Sequence, residues 1–134
     1  MSSDVFSDFK PPSFATQVAL SSDGMVVAIG SPGFDHGSNV DSGLVRAFAY
    51  DGSVWTQRGS DIFGESADDQ LGGEKTSVAL NADGSRLAAG AWRSDDGLQG
   101  LNAGRVRVWE LVEIPGYGVF WYQLGHDIDG LVLH

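Results

Sequence analysis

Thr16-Gln-Val-Ala-Leu-Ser-Ser-Asp-Gly-Met-Val-Val-Ala-Ile-Gly-Ser31 lies over Thr76-Ser-Val-Ala-Leu-Asn-Ala-Asp-Gly-Ser-Arg-Leu-Ala-Ala-Gly-Ala91 with 8 of 16 positions identical, at an offset of 76 − 16 = 60. Working outward, Gly43-Leu-Val-Arg-Ala-Phe48 matches Gly104-Arg-Val-Arg-Val-Trp109. Trp55-Thr-Gln-Arg-Gly-Ser-Asp-Ile-Phe-Gly64 matches Trp121-Tyr-Gln-Leu-Gly-His-Asp-Ile-Asp-Gly130 at 6 of 10 positions. Self-similarity at a long fixed period marks a repeat architecture, in which one supersecondary unit recurs and neighbours bury each other's faces. Ser3-Asp-Val-Phe6 echoes Ser60-Asp-Ile-Phe63, so the chain starts at the point where a unit ends. The organisation read from this is a partial leading repeat or closing strand over 1–15, a first repeat over 16–75 and a second over 76–134, within one structural domain.

Inside a unit the strand signals are short and regular. Gln17 to Leu20 is a brief apolar run, Asp23-Gly24 centres a hairpin turn, and Met25 to Gly30 is almost continuously apolar, as in a strand buried on both faces. Leu44 to Tyr50 alternates, with Leu44, Arg46, Phe48 and Tyr50 on one side and Val45, Ala47 and Ala49 on the other. Asp51-Gly52 then turns the chain into Val54 to Arg58. The second unit follows with Val78 to Leu80, Arg86 to Gly90, Arg105 to Leu111 and Phe120 to Leu124. The fold class read from this is all-β, with two tandem four-stranded antiparallel units of the β-propeller blade type, completed by self-association or by further repeats.

Val27-Ala-Ile-Gly-Ser-Pro-Gly-Phe34 followed by Gly43-Leu-Val-Arg-Ala-Phe48 resembles an FG-GAP repeat, the blade unit of integrin-α-type propellers, with Gly30-Ser31-Pro32 in the Gly-Ala-Pro position. The second unit carries Gly90-Ala91-Trp92 there and lacks the proline. Val18-Ala-Leu-Ser-Ser-Asp-Gly24 and Trp55-Thr-Gln-Arg-Gly-Ser-Asp-Ile62 are also similar to propeller-like repeat proteins of diatoms and other algae. The resemblance spans nearly the whole chain and implies a propeller-type fold. It implies little about activity, because one fold hosts many functions. Many FG-GAP repeats hold calcium on an Asp-x-Asp/Asn-x-Asp-Gly loop. Asp23-Gly24 and Asp83-Gly84 occupy its last two places, but Ala19, Ser21, Ala79 and Asn81 stand where earlier ligands belong, so these pairs read as turns.

Composition narrows the function classes. The 134 residues carry 8 Lys and Arg against 18 Asp and Glu, a net charge of −10, with 42% apolar residues and 19 glycines. Such a chain is apolar enough to fold, and its charge opposes phosphate backbones and anionic lipid. Neither nucleic-acid binding nor membrane insertion is expected. Zero cysteines exclude disulfides and thiolate chemistry. Met1-Ser-Ser-Asp-Val5 has no signal-peptide character, so either the protein is cytosolic or a leader is missing from this chain; a structural or adhesive role would place it in an extracellular or cell-surface setting.

Candidate sites fall mainly on loops. Asp35 and Asp41 in the first unit, and Asp95, Asp96 and Asn102 in the second, are oxygen donors spaced along glycine-rich loops and form the candidate calcium ligands. No other cofactor is indicated. His36, His126 and His134 lack metal spacing and read as surface residues. No nucleophile elbow or phosphate loop is present. Glu65, Asp68 and Asp69 form an acidic run that reads as solvated linker rather than as paired catalytic carboxylates, so no enzymatic activity is expected. Arg46 with Asp61, and Arg107 with Asp127, recur together and suggest a repeated structural ion pair. Recurrent Trp55 and Trp121 read as packing between units. Trp92, Arg93, Asp95, Asp96, Phe34 and Asp35 are the candidate ligand or partner contacts.

Two units leave two apolar faces open, and repeat stacks generally need three or more. The chain is therefore expected to belong to a longer tandem protein, to close into a ring, or to add head to tail into a filament. The expected function is that of a non-enzymatic structural or adhesive repeat module that self-assembles through face and strand contacts, with Ser3, Asp4, Val5 and Phe6 supplying a strand. The alternative is recognition of a glycan or another protein through the inter-strand loops.

Overall fold

The computed structural model describes residues 17–67, 69–72, 78–91 and 104–130. Among the described residues the chain is all-β, with no helix and two antiparallel sheets. The first sheet holds β1 (Gln17–Leu20), β2 (Val26–Ser31), β3 (Leu44–Tyr50) and β4 (Trp55–Gln57) in that order, with β5 (Ile62–Phe63) also paired to β3. The second holds β6 (Val78–Leu80), β7 (Arg86–Ala91) and β8 (Arg105–Ile114). β9 (Gly118–Gln123) and β10 (Ile128–Asp129) both pair with β8.

The fourth strands expected at Val54 to Arg58 and Phe120 to Leu124 are present as β4 and β9, and each sheet adds a short fifth strand, β5 or β10, beyond them. β4 meets β3 at Phe48↔Gln57, whereas β5 meets it at Val45↔Ile62, so four residues, 58 to 61, face only Arg46 and Ala47. The second sheet repeats this two-residue insertion, with Trp109↔Gln123 on one side and Val106↔Ile128 on the other. Gly59 at φ 80° and Gly125 at φ 79° make the excursion possible, because a residue with a Cβ resists that backbone. After each excursion the ladder resumes, so the strand is bulged rather than ended.

The Asp-Gly hairpins are satisfied from within. Asp23 Oδ1 accepts from the Met25 amide at 3.0 Å and from Ser21 Oγ at 2.8 Å, while Ser21 Oγ accepts from the Val26 amide. In the second sheet Asp83 Oδ1 accepts from the Ser85 amide and hydroxyl, and Asn81 Oδ1 accepts from the Arg86 amide. These hydrogen bonds hold both carboxyls below the ordinary carboxylate value.

Direct cross-strand partners share a face, so the registers assign every side chain to one side of its sheet. In the first sheet Ala28, Val45, Ala47 and Ile62 lie on one face. In the second, Val78, Leu87, Ala89, Ala91, Trp109 and Trp121 lie on one face. These ten, with Leu71 from the connection, form the main buried cluster, which is the contact between one face of each sheet. Leu44 and Phe48, 0% and 4% exposed, are buried on the opposite face of the first sheet. The chain crosses between the sheets at Gly72, whose amide donates to the Gly90 carbonyl at 2.9 Å, while a Cβ on Gly30 would come within 2.7 Å of the Gly72 carbonyl.

Candidate interaction site

The motif Trp-x-Gln-x-Gly-x-Asp-Ile builds the same polar knot in both sheets. Gln57 Nε2 donates to Asp61 Oδ1 at 2.6 Å, and Gln123 Nε2 donates to Asp127 Oδ1 at 2.7 Å. The amides of Arg58 and Leu124 each donate at 2.7 Å to the third strand, on Ala47 and Val108. The four-residue spacing of Gln and Asp, present twice in the sequence, was the available signal for this knot.

Arg46 grips Asp61 with two parallel hydrogen bonds, Nε to Oδ1 at 2.7 Å and Nη2 to Oδ2 at 3.1 Å. Burial raises the Asp61 carboxyl, but the hydrogen bonds from Arg46 and Gln57 outweigh it and hold the group below its ordinary value. In the second sheet the arrangement differs. Arg107 Nε stands 3.7 Å from Asp127, while Arg105 comes within 3.4 Å of Asp127 and hydrogen bonds Asp129 at 2.6 Å. The cause is Glu65, which reaches across from the first sheet to Arg105 Nη1 at 2.5 Å and to Arg107 Nη2 at 2.9 Å. The Arg107 contact is a charge pairing at poor hydrogen-bond angle, since its Nε and Nη2 make no hydrogen bond among the described residues. The Arg107 guanidinium also sits 5.7 Å over the Trp109 ring.

The acidic run is not solvated throughout. Asp69 is buried, and its Oδ2 accepts from the amides of Glu65 at 3.2 Å and Ser66 at 3.0 Å. Burial pushes its carboxyl above the ordinary value despite those bonds and the nearby Arg107. Glu65 and Asp69 are thus structural ties of the inter-sheet connection. Asp68 lies outside the described residues.

The loop before β3 folds on itself. Asp35 Oδ1 accepts from the Asp41 amide at 2.9 Å, the Phe34 carbonyl accepts from the Gly43 amide at 3.1 Å, and the Phe34 and Phe63 rings lie 6.1 Å apart. His36 stacks on Phe63 at 3.7 Å. No group of three or more potential metal ligands occurs among the described residues. Trp92, Arg93, Asp95, Asp96 and Asn102, with Ser3, Asp4, Val5, Phe6 and His134, lie outside them.

The faces turned away from the core carry the most informative chemistry. Trp121 is 7% exposed, donates from Nε1 to the Arg58 carbonyl at 2.9 Å, and lies against Gly59, where an added Cβ would come within 2.6 Å of its ring. Trp55, its repeat equivalent, is 42% exposed and lies beside Tyr50 of its own hairpin, with ring centres 5.2 Å apart. Val78 is 3% exposed and Val18 is 62%; Ile62 is 5% exposed and Ile128 is 60%. Each pair occupies one repeat position. At these three positions the outer faces expose residues whose repeat equivalents are buried at the internal contact, whereas Phe48 and its equivalent Trp109 are both buried, at 4% and 5% exposed.

A scan against protein-family models finds no match for this chain, and a search of curated proteins finds none. No helix among the described residues is long and apolar enough to cross a membrane.

Proposed function

We propose that this chain is a non-enzymatic structural or adhesive module of two propeller-type units that works by self-assembly, as a ring or a head-to-tail filament, outside the cell. One observation carries the reading: Trp55, Val18 and Ile128, the repeat equivalents of the buried Trp121, Val78 and Ile62, are exposed on the two outer faces. Burying apolar area stabilises by about 25 cal/mol per Å², so exposed apolar side chains on both outer faces favour association. The outer faces differ from one another, and a heterologous contact between unlike faces generates rings or filaments rather than closed twofold dimers.

The test is absolute mass by light scattering as a function of concentration, with electron microscopy of the same peak. The expected result is a species well above the 14.2 kDa chain, such as a trimer of about 43 kDa (three times 14.2), or an elongated polymer. A chain that stays monomeric at every accessible concentration overturns the reading.

A further inference from the structure

We infer that the groove between the two sheets binds a small molecule carrying one carboxylate on an apolar body, with Arg58 taking the carboxylate. The site stands apart from any self-assembly. Three departures from the internal repeat meet there. The first is Arg58 itself. In the Trp-x-Gln-x-Gly motif its equivalent is Leu124, and both backbone amides make the same bond to the third strand, so the polar knot asks nothing of the Arg58 side chain. The second is length: β8 runs to Ile114 whereas β3 stops at Tyr50, so the β8–β9 hairpin carries an added stretch. The third is Glu113, which pairs with Val119 on that stretch. Leu111 pairs with the buried Trp121, and side chains two residues apart on a strand share a face. The added stretch therefore turns a carboxylate and an apolar side chain the same way as Trp121, toward the first sheet.

The result is an open groove of about 520 Å³, walled by Gln57 and Arg58 on one side and by Ser85, Leu111, Glu113 and Val119 on the other. Its size falls within the roughly 300–1,000 Å³ of small-molecule sites. The polar groups nearest Arg58 are already bonded. Gln57 Nε2 donates to Asp61, and Ser85 Oγ donates to Asp83 Oδ1, which also accepts from the Ser85 amide. Asp83 attracts Arg58 only through space. Arg58 Nε is buried without a hydrogen-bond partner, and no ion pair involves this guanidinium among the described residues. A buried donor of this kind favours an acceptor. A carboxylate accepting from Nε and a terminal nitrogen in parallel gives the strongest such pair. Glu113 across the groove opposes a second negative charge, as does the net charge of −10, so the ligand that fits is singly charged. Leu111 and Val119 cover its apolar body.

The experiment is equilibrium dialysis of the full chain against radiolabelled benzoate, which reads binding in a monomer and in an assembly alike. The expected result is saturable binding of benzoate that 4-methylpentanoate displaces and the neutral benzamide does not, with inorganic phosphate competing far more weakly. Arg58→Gln, with its folding checked by circular dichroism, is expected to weaken binding at least about tenfold, the scale of one charge-assisted hydrogen bond. Glu113→Gln, at an exposed position, is expected to tighten it at low salt. Absence of saturable binding by both carboxylates overturns the site. Displacement by benzamide, or unchanged affinity in folded Arg58→Gln, overturns Arg58 as the anchor of the carboxylate. Phosphate that competes as well as 4-methylpentanoate overturns recognition of an apolar body. Should Arg58→Gln fail to fold, Glu113→Gln carries the test, and an affinity for benzoate that it leaves unchanged overturns the groove as the place of binding.

Discussion

Trp55 and Trp121 sit in the same repeated motif, on the same face of equivalent strands, and their surroundings are opposite. Trp121 meets the other sheet, loses its water and finds a carbonyl for its N–H; Trp55 lies beside Tyr50 of its own hairpin and stays 42% exposed. Local sequence therefore fixes where each indole points, and the neighbour on that side decides what the indole is worth. The largest expected difference between the two sheets follows from this. Trp121→Ala should cost about 3–5 kcal/mol, the usual range for emptying a buried aromatic site. Trp55→Ala in the monomer should cost about 1 kcal/mol or less, as expected for a surface position. Urea unfolding of both variants at a concentration below assembly measures the gap, and equal losses would show that the two faces are covered alike.

The arginines extend the comparison. Arg46 is held in a two-bond pair by one aspartate of its own sheet, whereas Arg105 and Arg107 share Glu65 from the other sheet as well as their local aspartates. Arg46→Ala strands a half-buried Asp61 that keeps only its bond from Gln57, and should cost about 3 kcal/mol, between an exposed pair and a fully buried one. Glu65→Gln should instead weaken the junction between sheets, with Arg105 retaining Asp129. A thermal melt that separates into two transitions in Glu65→Gln, and stays single in Arg46→Ala, would sharpen the distinction.

The two bulge turns share their backbone at the glycine and differ in what lies above it. Gly59 and Gly125 share a positive φ, so an alanine at either place carries the same backbone cost of about 1 kcal/mol. Gly59 alone has the Trp121 ring and the Leu111 side chain inside contact distance of an added methyl. Gly59→Ala should thus exceed Gly125→Ala by about 2 kcal/mol, the scale of overpacking.

Strand positions and hairpins were legible because alternation and Asp-Gly pairs are local signals that the ladder only has to obey. The register break before Ile62 and Ile128 was hidden. A glycine between a glutamine and an aspartate reads as a loop, and only the pairing of both flanks with one strand shows that the ladder resumes. The ion pair at Arg46 and Asp61 was visible through co-repetition, but its second-sheet counterpart was redistributed by Glu65, a residue with no acidic repeat partner, since Leu131 follows Gly130 where Glu65 follows Gly64. The burial of Asp69 was not legible, because an acidic run beside Gly72-Gly73 looks solvated until the crossing between sheets folds over it.

Asp69 also sets the smallest and most specific expectation, since it titrates against the trend of the other aspartates. Asp61, Asp23, Asp51 and Asp83 are held below their ordinary value, so the stability they contribute is present above about pH 4 and lost as pH falls through their folded-state values. Asp69 is raised: the folded chain holds its proton more tightly than the unfolded chain, and its contribution is fully present below about pH 4 and lost as pH rises through its folded-state value. Both amide bonds at this site fall on one oxygen, Oδ2, and an asparagine carbonyl can accept both. Asp69→Asn should therefore gain stability at neutral pH, and that advantage should vanish on acidification toward about pH 4. Urea unfolding of variant and wild type from acid to neutral pH reads this directly. A loss of stability at neutral pH in Asp69→Asn would mean that the attraction of Arg107 for the carboxylate outweighs the cost of burying it.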